Sequence, residues 1–270
     1  MKSLLLLILP VVLGNDPDGV CKINERILGG EPAEKGEFPG VVYIVKYYTS
    51  AGYFTFDASC AGSLVNDYWV LTAAHCLFVV PENRLKYYNV YPAKGSSSFI
   101  PSTEGMLHAE YNPKDSSNDI GLIRLPRSMS TIDPYFKTVS LPVQGQRLTS
   151  NEITYVGWGA TSTTDSTVDS PYLKKLEHVP LNQSLCSAIG YDESKTLCFF
   201  PTITTGTACS GDSGGPIFMD GLQVGIVSRE GMIENGTYHS IMRIDTRVSA
   251  YINWINITIR SRLAALETSQ

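Results

Sequence analysis

Apolar positions in this chain come in short runs bounded by Gly, Pro, Asn or Ser. The runs are Val41 to Tyr48, Ser63-Leu64-Val65, Trp69 to Thr72, Ile120 to Leu125, Ile153 to Trp158, Leu222 to Ser228 and Tyr238 to Ile244. They are rich in β-branched and aromatic residues, which predicts strands, and many short strands predict a barrel or a sandwich. One stretch has a different period. From Val248 to Leu266 the residues Tyr251, Ile252, Ile255, Ile259, Leu263 and Leu266 recur at three- and four-residue steps, the pattern of a single amphipathic C-terminal helix. No repeat with a solenoid-like period interrupts this order, and the Ser/Thr stretch Thr161 to Ser170 reads as an exposed loop.

The amino terminus is set apart by its own pattern. Residues 1–14 place Lys2 before a Leu/Ile/Val run that ends at small Gly14, the arrangement of a secretory leader. The run is too short for a membrane span, and no second long apolar stretch follows. Residues 15–26 are polar and turn-rich and end at Glu25-Arg26, ahead of Ile27-Leu28-Gly29-Gly30, so they read as a short propeptide. The leader carries +1 and the propeptide −1, so the mature chain keeps the net charge of −5, which argues against nucleic acid as a partner. With 270 residues, 43% of them hydrophobic and 17% charged, the chain can bury sizeable cores and lacks a disordered composition. Six cysteines behind a leader, none in a CxxC pair, predict disulfides in an oxidising compartment rather than metal ligation. Asn182, Asn235 and Asn256 open glycosylation sequons, which agrees with a secreted, extracellular protein.

Candidate chemistry centres on Gly211-Asp212-Ser213-Gly214-Gly215-Pro216. Glycines on both sides of Ser213 permit a tight turn that brings backbone N–H groups near a reacting atom. The same residues also fit a plain Asp-Gly surface turn. A serine hydroxyl needs a base, usually a histidine oriented by a buried carboxylate. Of four histidines, His108, His178 and His239 have polar or variable surroundings, whereas His75 stands at a strand end among small residues in Thr72-Ala73-Ala74-His75-Cys76. Asp119, in Asn118-Asp119-Ile120-Gly121-Leu122, opens an apolar strand where a carboxylate can be held buried. Taken singly, His75 reads as structural and Asp119 as a turn cap.

Taken together, Ile27-Leu28-Gly29-Gly30, Thr72 to Cys76, Asn118 to Leu122, Gly157-Trp158-Gly159 and Gly211 to Pro216 resemble, in order and spacing, the chymotrypsin-like serine peptidases. The resemblance runs from Ile27 to the C-terminal helix. It implies an all-β fold of two six-stranded antiparallel β-barrels packed together with a C-terminal α-helix, the first barrel in residues 27–145 and the second in 146–270. It implies a catalytic triad of His75, Asp119 and Ser213, and an oxyanion hole from the N–H groups of Gly211 and Ser213. It further implies a zymogen cut after Arg26 by a trypsin-like enzyme, so that the new Ile27 ammonium pairs with Asp212. Disulfides Cys60–Cys76 and Cys186–Cys198 follow from the same likeness. Protein or peptide substrates, protein inhibitors and a monomeric state are expected. No cofactor or metal is expected, and residues 77–104 lack a paired-carboxylate calcium loop.

Departures from the family pattern cluster at the specificity pocket formed by Thr207, Ser228, Glu230 and Arg243. Thr207 stands where trypsins carry an aspartate, which removes the usual anchor for Lys or Arg. Glu230 falls at the pocket mouth and Arg243 on its wall or floor. Arg243 can pair with a substrate carboxylate, or pair internally with Glu230 or Asp245 and fill the pocket. Two carboxylates within reach by sequence put the internal pairing ahead. Arg229 replaces the usual aromatic beside the pocket. Cys209 reads as a buried free thiol, with a Cys21–Cys209 bridge or intermolecular pairing through Cys21 as alternatives. A second class of function, a catalytically weak homologue that binds proteins, is motivated by Glu230 and Arg243 and opposed by the complete triad.

Overall fold

A computed structural model describes residues 11–12, 30–159, 170–199, 208, 211–234 and 239–268. Most of the leader, the propeptide with Cys21 and Arg26, the activation residue Ile27, pocket residue Thr207, Cys209 and the sequon residue Asn235 lie outside the described residues. The strands are β1 (Val11–Val12), β2 (Glu31–Pro32), β3 (Val41–Ser50), β4 (Tyr53–Asn66), β5 (Trp69–Thr72), β6 (Arg84–Tyr91), β7 (Ile100–Ser102), β8 (Glu104–Leu107) and β9 (Gly121–Arg124). They continue with β10 (Glu152–Gly157), β11 (Lys174–Pro180), β12 (Thr196–Phe199), β13 (Pro216–Met219), β14 (Leu222–Glu234) and β15 (His239–Arg247). Short helices α1 (Ala74–Leu77) and α2 (Gln183–Ala188) punctuate them, and α3 (Ile252–Glu267) ends the chain after a 3-10 turn at Val248–Ala250.

Two antiparallel sheets result. The first runs β7-β6-β3-β4-β5-β9-β8. Its two ends are one bent strand, because only Thr103 separates β7, paired with β6, from β8, paired with β9. The sheet therefore closes on itself as six strands, which leaves no open edge. The second runs β12-β15-β14-β13-β10-β11-β2, and its ends approach where Asn182 N–H, just past β11, donates to the Cys198 carbonyl in β12 at 2.9 Å. The strand β2 crosses from the amino terminus to pair with β11, and β1 pairs with β14.

Period-two alternation divides the side chains of β3 between two cores. Val42 and Ile44 point into the first barrel beside Leu64, Val70 and Ile123. Val41, Tyr43 and Val45 face the opposite way, into a seam shared with Val156 and Trp158 of the second sheet. Burial on both faces explains why Val41 to Val45 reads as a continuous apolar run rather than an alternating one. The same division occurs in β5, where Val70 enters the barrel and Trp69 and Leu71 pack with Ile226, Val248, Tyr251 and Ile255 under α3. Each such residue, fully buried, contributes about 2 kcal/mol of hydrophobic stabilisation. Cys60–Cys76 and Cys186–Cys198 are bridged, as expected, and each closes a loop worth about 3 kcal/mol. The first ties β4 to α1.

Candidate active site

His75 enters on α1, one turn after β5 ends. Ala73 and Ala74 are fully buried, so small side chains are what allow α1 to sit directly on the barrel. Asn118 adopts φ +53°, a left-handed conformation that asparagine tolerates, and its Oδ1 accepts a hydrogen bond from the Tyr251 hydroxyl at 3.0 Å. That turn aims Asp119 inward, to 1% exposure.

Four donors fix Asp119. The His75 backbone N–H donates to Oδ1 at 2.8 Å, the Ser228 hydroxyl to Oδ2 at 2.6 Å, and the His75 ring nitrogen Nδ1 lies 2.7 Å from Oδ2. Thr246 Oγ1 donates to the Asp119 carbonyl at 2.9 Å. Burial pushes the carboxyl pKa up, but the adjacent imidazole and the hydrogen bonds from His75 and Ser228 outweigh it and hold the pKa below the ordinary value. Asp119 is therefore ionised at neutral pH, and an ionised carboxylate only accepts, so Nδ1 must carry the ring proton. This tautomer leaves Nε2 as the basic atom of His75, whose side chain is partly open to solvent.

The loop bearing Ser213 is held by backbone contacts from both sheets. Ala61 N–H of β4 donates to the Ser213 carbonyl at 2.8 Å. Gly214 N–H donates to Val227 O at 2.8 Å, and Val227 N–H returns a bond to Gly215 O at 2.9 Å. Gly214 has φ +77°, and a Cβ there would lie 2.5 Å from the Ala61 carbonyl and 2.1 Å from Thr72 Oγ1, so glycine is required on two counts. Asp212 is buried beneath the loop, accepting from Gly159 N–H at 2.7 Å. Gly157 and Gly159 make room for it, since a Cβ on either would come within 2.2 Å of its carboxylate.

Arg243 in β15 is 3% exposed and lies opposite Glu230 in β14. Its Nη2 donates to Asp245 Oδ1 at 2.9 Å and its Nη1 to Glu230 Oε1 at 3.3 Å. Burial lowers its pKa, and the charges of Asp245 and Glu230 more than reverse this, so it stays cationic. The Tyr155 hydroxyl donates to Asp245 Oδ2. Neither Tyr155, which sits in an apolar run and reads from sequence as ordinary core, nor Tyr191 was legible as part of this region. The Tyr191 hydroxyl accepts from Arg229, whose guanidinium stacks over the same ring at 5.3 Å. A cleft of about 480 Å³ opens beside Ser228, Asp245, Thr246 and Tyr191, and another of about 520 Å³ runs along Phe38, Glu152 and Phe218; neither is lined by His75, Asp119 or Ser213.

Cys60, His75 and Cys76 are close enough together to suggest metal ligation, but both sulfurs are in a disulfide and offer no thiolate. His108 packs against Tyr251 and Trp254, and burial lowers its pKa. Its unfolded form therefore binds protons more readily, so this residue removes stability as the pH falls through about 6.5. His178 pairs with Glu152 on the surface.

Comparison with known proteins agrees with this geometry. The family model described as Trypsin matches residues 27–255. Cationic trypsin-3 of Rattus norvegicus is 31% identical over 239 residues, covering 87% of this chain and 90% of that protein. Serine protease 1 of Homo sapiens is 32% identical over 87% of this chain and 90% of its own length. A solved structure titled "Structure of GrC" superposes with a TM-score of 0.68 at 26% identity, over 86% of this chain and 99% of that one. With its two barrel-like sheets, its C-terminal helix and this match across most of its length, the chain belongs to the trypsin family and is a chymotrypsin-like serine endopeptidase.

Proposed function

We propose that this enzyme is a secreted zymogen that hydrolyses peptide bonds through Ser213, His75 and Asp119. The observation that carries the reading is the buried Asp119 carboxylate bonded to His75 Nδ1 at 2.7 Å, which leaves Nε2 free to work as a base. In acylation Nε2 takes the Ser213 proton as the hydroxyl oxygen attacks the scissile carbonyl. Asp119 stabilises the imidazolium so formed. The N–H groups of Gly211 and Ser213 hold the developing oxyanion, at about 3 kcal/mol per donor. His75 then returns the proton to the leaving amine, and water repeats the sequence to release the acyl group.

Cleavage after Arg26 by a trypsin-like enzyme frees the Ile27 ammonium, which enters beside Asp212. The burial of the Asp212 carboxylate, 1% exposed, supports this assignment, because a buried charge favours a cationic partner. Burying either charge alone is costly, so the pair forms only once the chain is cut. An Arg26→Gln precursor treated with trypsin is expected to turn over peptide substrate at least about 100-fold more slowly than cleaved wild type. Equal rates would remove the switch from the account. The residues 1–14 and the sequons at Asn182, Asn235 and Asn256 fit export to the extracellular space. Asn182 and Asn256 are both exposed, as carbohydrate attachment requires.

Arg243 sets the P1 preference by occupying the pocket. With Asp245 and Glu230 both bound to it, its charge is already neutralised, so the pocket takes short side chains. Profiling on a peptide library is expected to favour small P1 residues. Dominant cleavage after Asp or Glu would mean that Arg243 leaves its partners to bind substrate, and dominant cleavage after Lys or Arg would refute both uses of Arg243.

A further inference from the structure

Val227 and Ser228 form a bulge in the β14–β15 ladder. Ile226 pairs with Thr246 and Arg229 with Ile244, so two residues of β14 stand opposite the single Asp245 of β15. Both bulged residues bond to the active site instead of the ladder. Val227 exchanges two backbone hydrogen bonds with Gly214 and Gly215, beside the nucleophile. Ser228 gives its hydroxyl to Asp119 at 2.6 Å. The bulge thus holds the Ser213 loop with one residue and the triad acid with the next.

Asp245 closes this bulge from the facing strand. Its Oδ1 accepts the Ser228 N–H at 2.9 Å and Arg243 Nη2 at 2.9 Å, while its Oδ2 accepts the Tyr155 hydroxyl. The residue is 1% exposed, so its charge is compensated from within the protein, by Arg243. A hydrogen-bonded path therefore runs from Tyr155 and Arg243 through Asp245 to Ser228, from Ser228 to Asp119, and from Asp119 to His75. Removing the carboxylate would leave the Ser228 N–H at the bulge without its acceptor, and the freed backbone is the one that aims the Ser228 hydroxyl.

We propose that Asp245 is a positioning residue of the catalytic apparatus, setting Asp119 and His75 through Ser228, with Arg243 and Tyr155 holding its carboxylate in place. The inference rests on the internal pairing of Arg243. It places the wall of the specificity pocket and the triad acid on one shared side chain, so that substitutions in the pocket alter the chemical step as well as selectivity.

The test uses cleaved enzyme carrying Asp245→Ala or Asp245→Asn, with active sites counted by fluorophosphonate titration so that misfolded material does not enter kcat. Asp245→Ala is expected to lower kcat about tenfold with KM within about twofold, and to move the acidic limb of the kcat profile to lower pH as Asp119 loosens from the imidazolium. Asp245→Asn keeps kcat within about twofold, because its amide oxygen still accepts the Ser228 N–H. Full kcat with an unmoved limb in Asp245→Ala overturns the proposal, whatever happens to its melting temperature. So does an Asn variant as impaired as the Ala variant. If Asp245→Ala yields no titratable enzyme, Tyr155→Phe serves: an acidic limb displaced the same way supports the role and an unmoved limb overturns it. All variants are assayed on whichever peptide wild type cleaves best, so a wild-type preference for acidic P1 would refute the pairing of Arg243 without obscuring the effect at Asp245.

Discussion

Asp119→Asn is expected to lower kcat by about 10⁴-fold at neutral pH while the protein stays folded. An amide at this position can donate as well as accept. It would present its NH₂ to His75 and favour the ring tautomer with the proton on Nε2, the atom that must accept the Ser213 proton. The geometry around the substitution is retained, because the His75 backbone N–H still donates to the amide oxygen at the Oδ1 position, while the NH₂ at the Oδ2 position can donate to Nδ1 and to the Ser228 hydroxyl oxygen. The loss is therefore in protonation state rather than in packing. Activity should return in part at high pH, where the serine can be deprotonated without His75. Measurement of kcat across pH on fluorophosphonate-titrated enzyme checks both parts, and a variant within tenfold of wild type at pH 7 would show that His75 is not oriented by Asp119.

Gly214→Ala is the second substitution with a large expected effect. The backbone there sits at φ +77°, and the new methyl would meet the Ala61 carbonyl at 2.5 Å and Thr72 Oγ1 at 2.1 Å. Neither neighbour can yield easily, because Thr72 Oγ1 already donates to Ala61 O at 2.8 Å and Ala61 N–H bonds to Ser213 O at 2.8 Å. Strain and overpacking together are expected to lower stability by about 3 kcal/mol, or roughly 8 °C in melting temperature. The displaced serine should cost at least about 100-fold in kcat, since a shift near 1 Å at a nucleophile has that scale. Gly221→Ala is the control. It has the same φ of +77° but no atom within 4 Å of a new Cβ, so about 1 kcal/mol of stability and none of the activity should be lost. Calorimetry and kcat on the two variants separate backbone strain from collision at the active site.

What was legible in the sequence followed from how fully each element is buried. The strands with both faces covered, such as β3 and β5, announce themselves as continuous apolar runs, and α3 does so by its three- and four-residue period. Strands β6 and β11 did not. Residues 84–91 and 174–180 carry exposed Arg84, Lys86, Glu177 and His178 and half-buried Lys174 and Lys175, so their apolar content falls below that of a recognisable run. The 3-10 turn at Val248–Ala250 also continues the helical period without being α-helix, so the helix begins four residues later than the pattern suggests.

The site divided along similar lines. His75, Asp119 and Ser213 stood out only together, through the resemblance that their surrounding motifs carry, since His75 alone reads as structural and Asp119 alone as a turn cap. Pocket chemistry was partly legible, since Glu230, Arg243 and Asp245 are charges in strands that otherwise read as buried, and buried charges require partners. What could not be read was the geometry joining them. The bulge at Val227–Ser228 comes from a register shift between β14 and β15 that leaves no mark in composition, and Tyr155 is one aromatic among several in an apolar run. Its hydroxyl acquires a role only because the second sheet brings it onto Asp245.

The account turns on whether Ser213 is a nucleophile made competent by cleavage at Arg26. A fluorophosphonate probe applied before and after limited trypsin treatment measures this directly, with the labelled residue identified by peptide mass. The expected result is rapid labelling of Ser213 in cleaved wild type, at least about 100-fold slower labelling of the uncut Arg26→Gln precursor, and none in Ser213→Ala. Cleaved wild type that fails to label, with Cys60–Cys76 and Cys186–Cys198 intact and its fold confirmed, would contradict the account and leave a protein-binding homologue in its place.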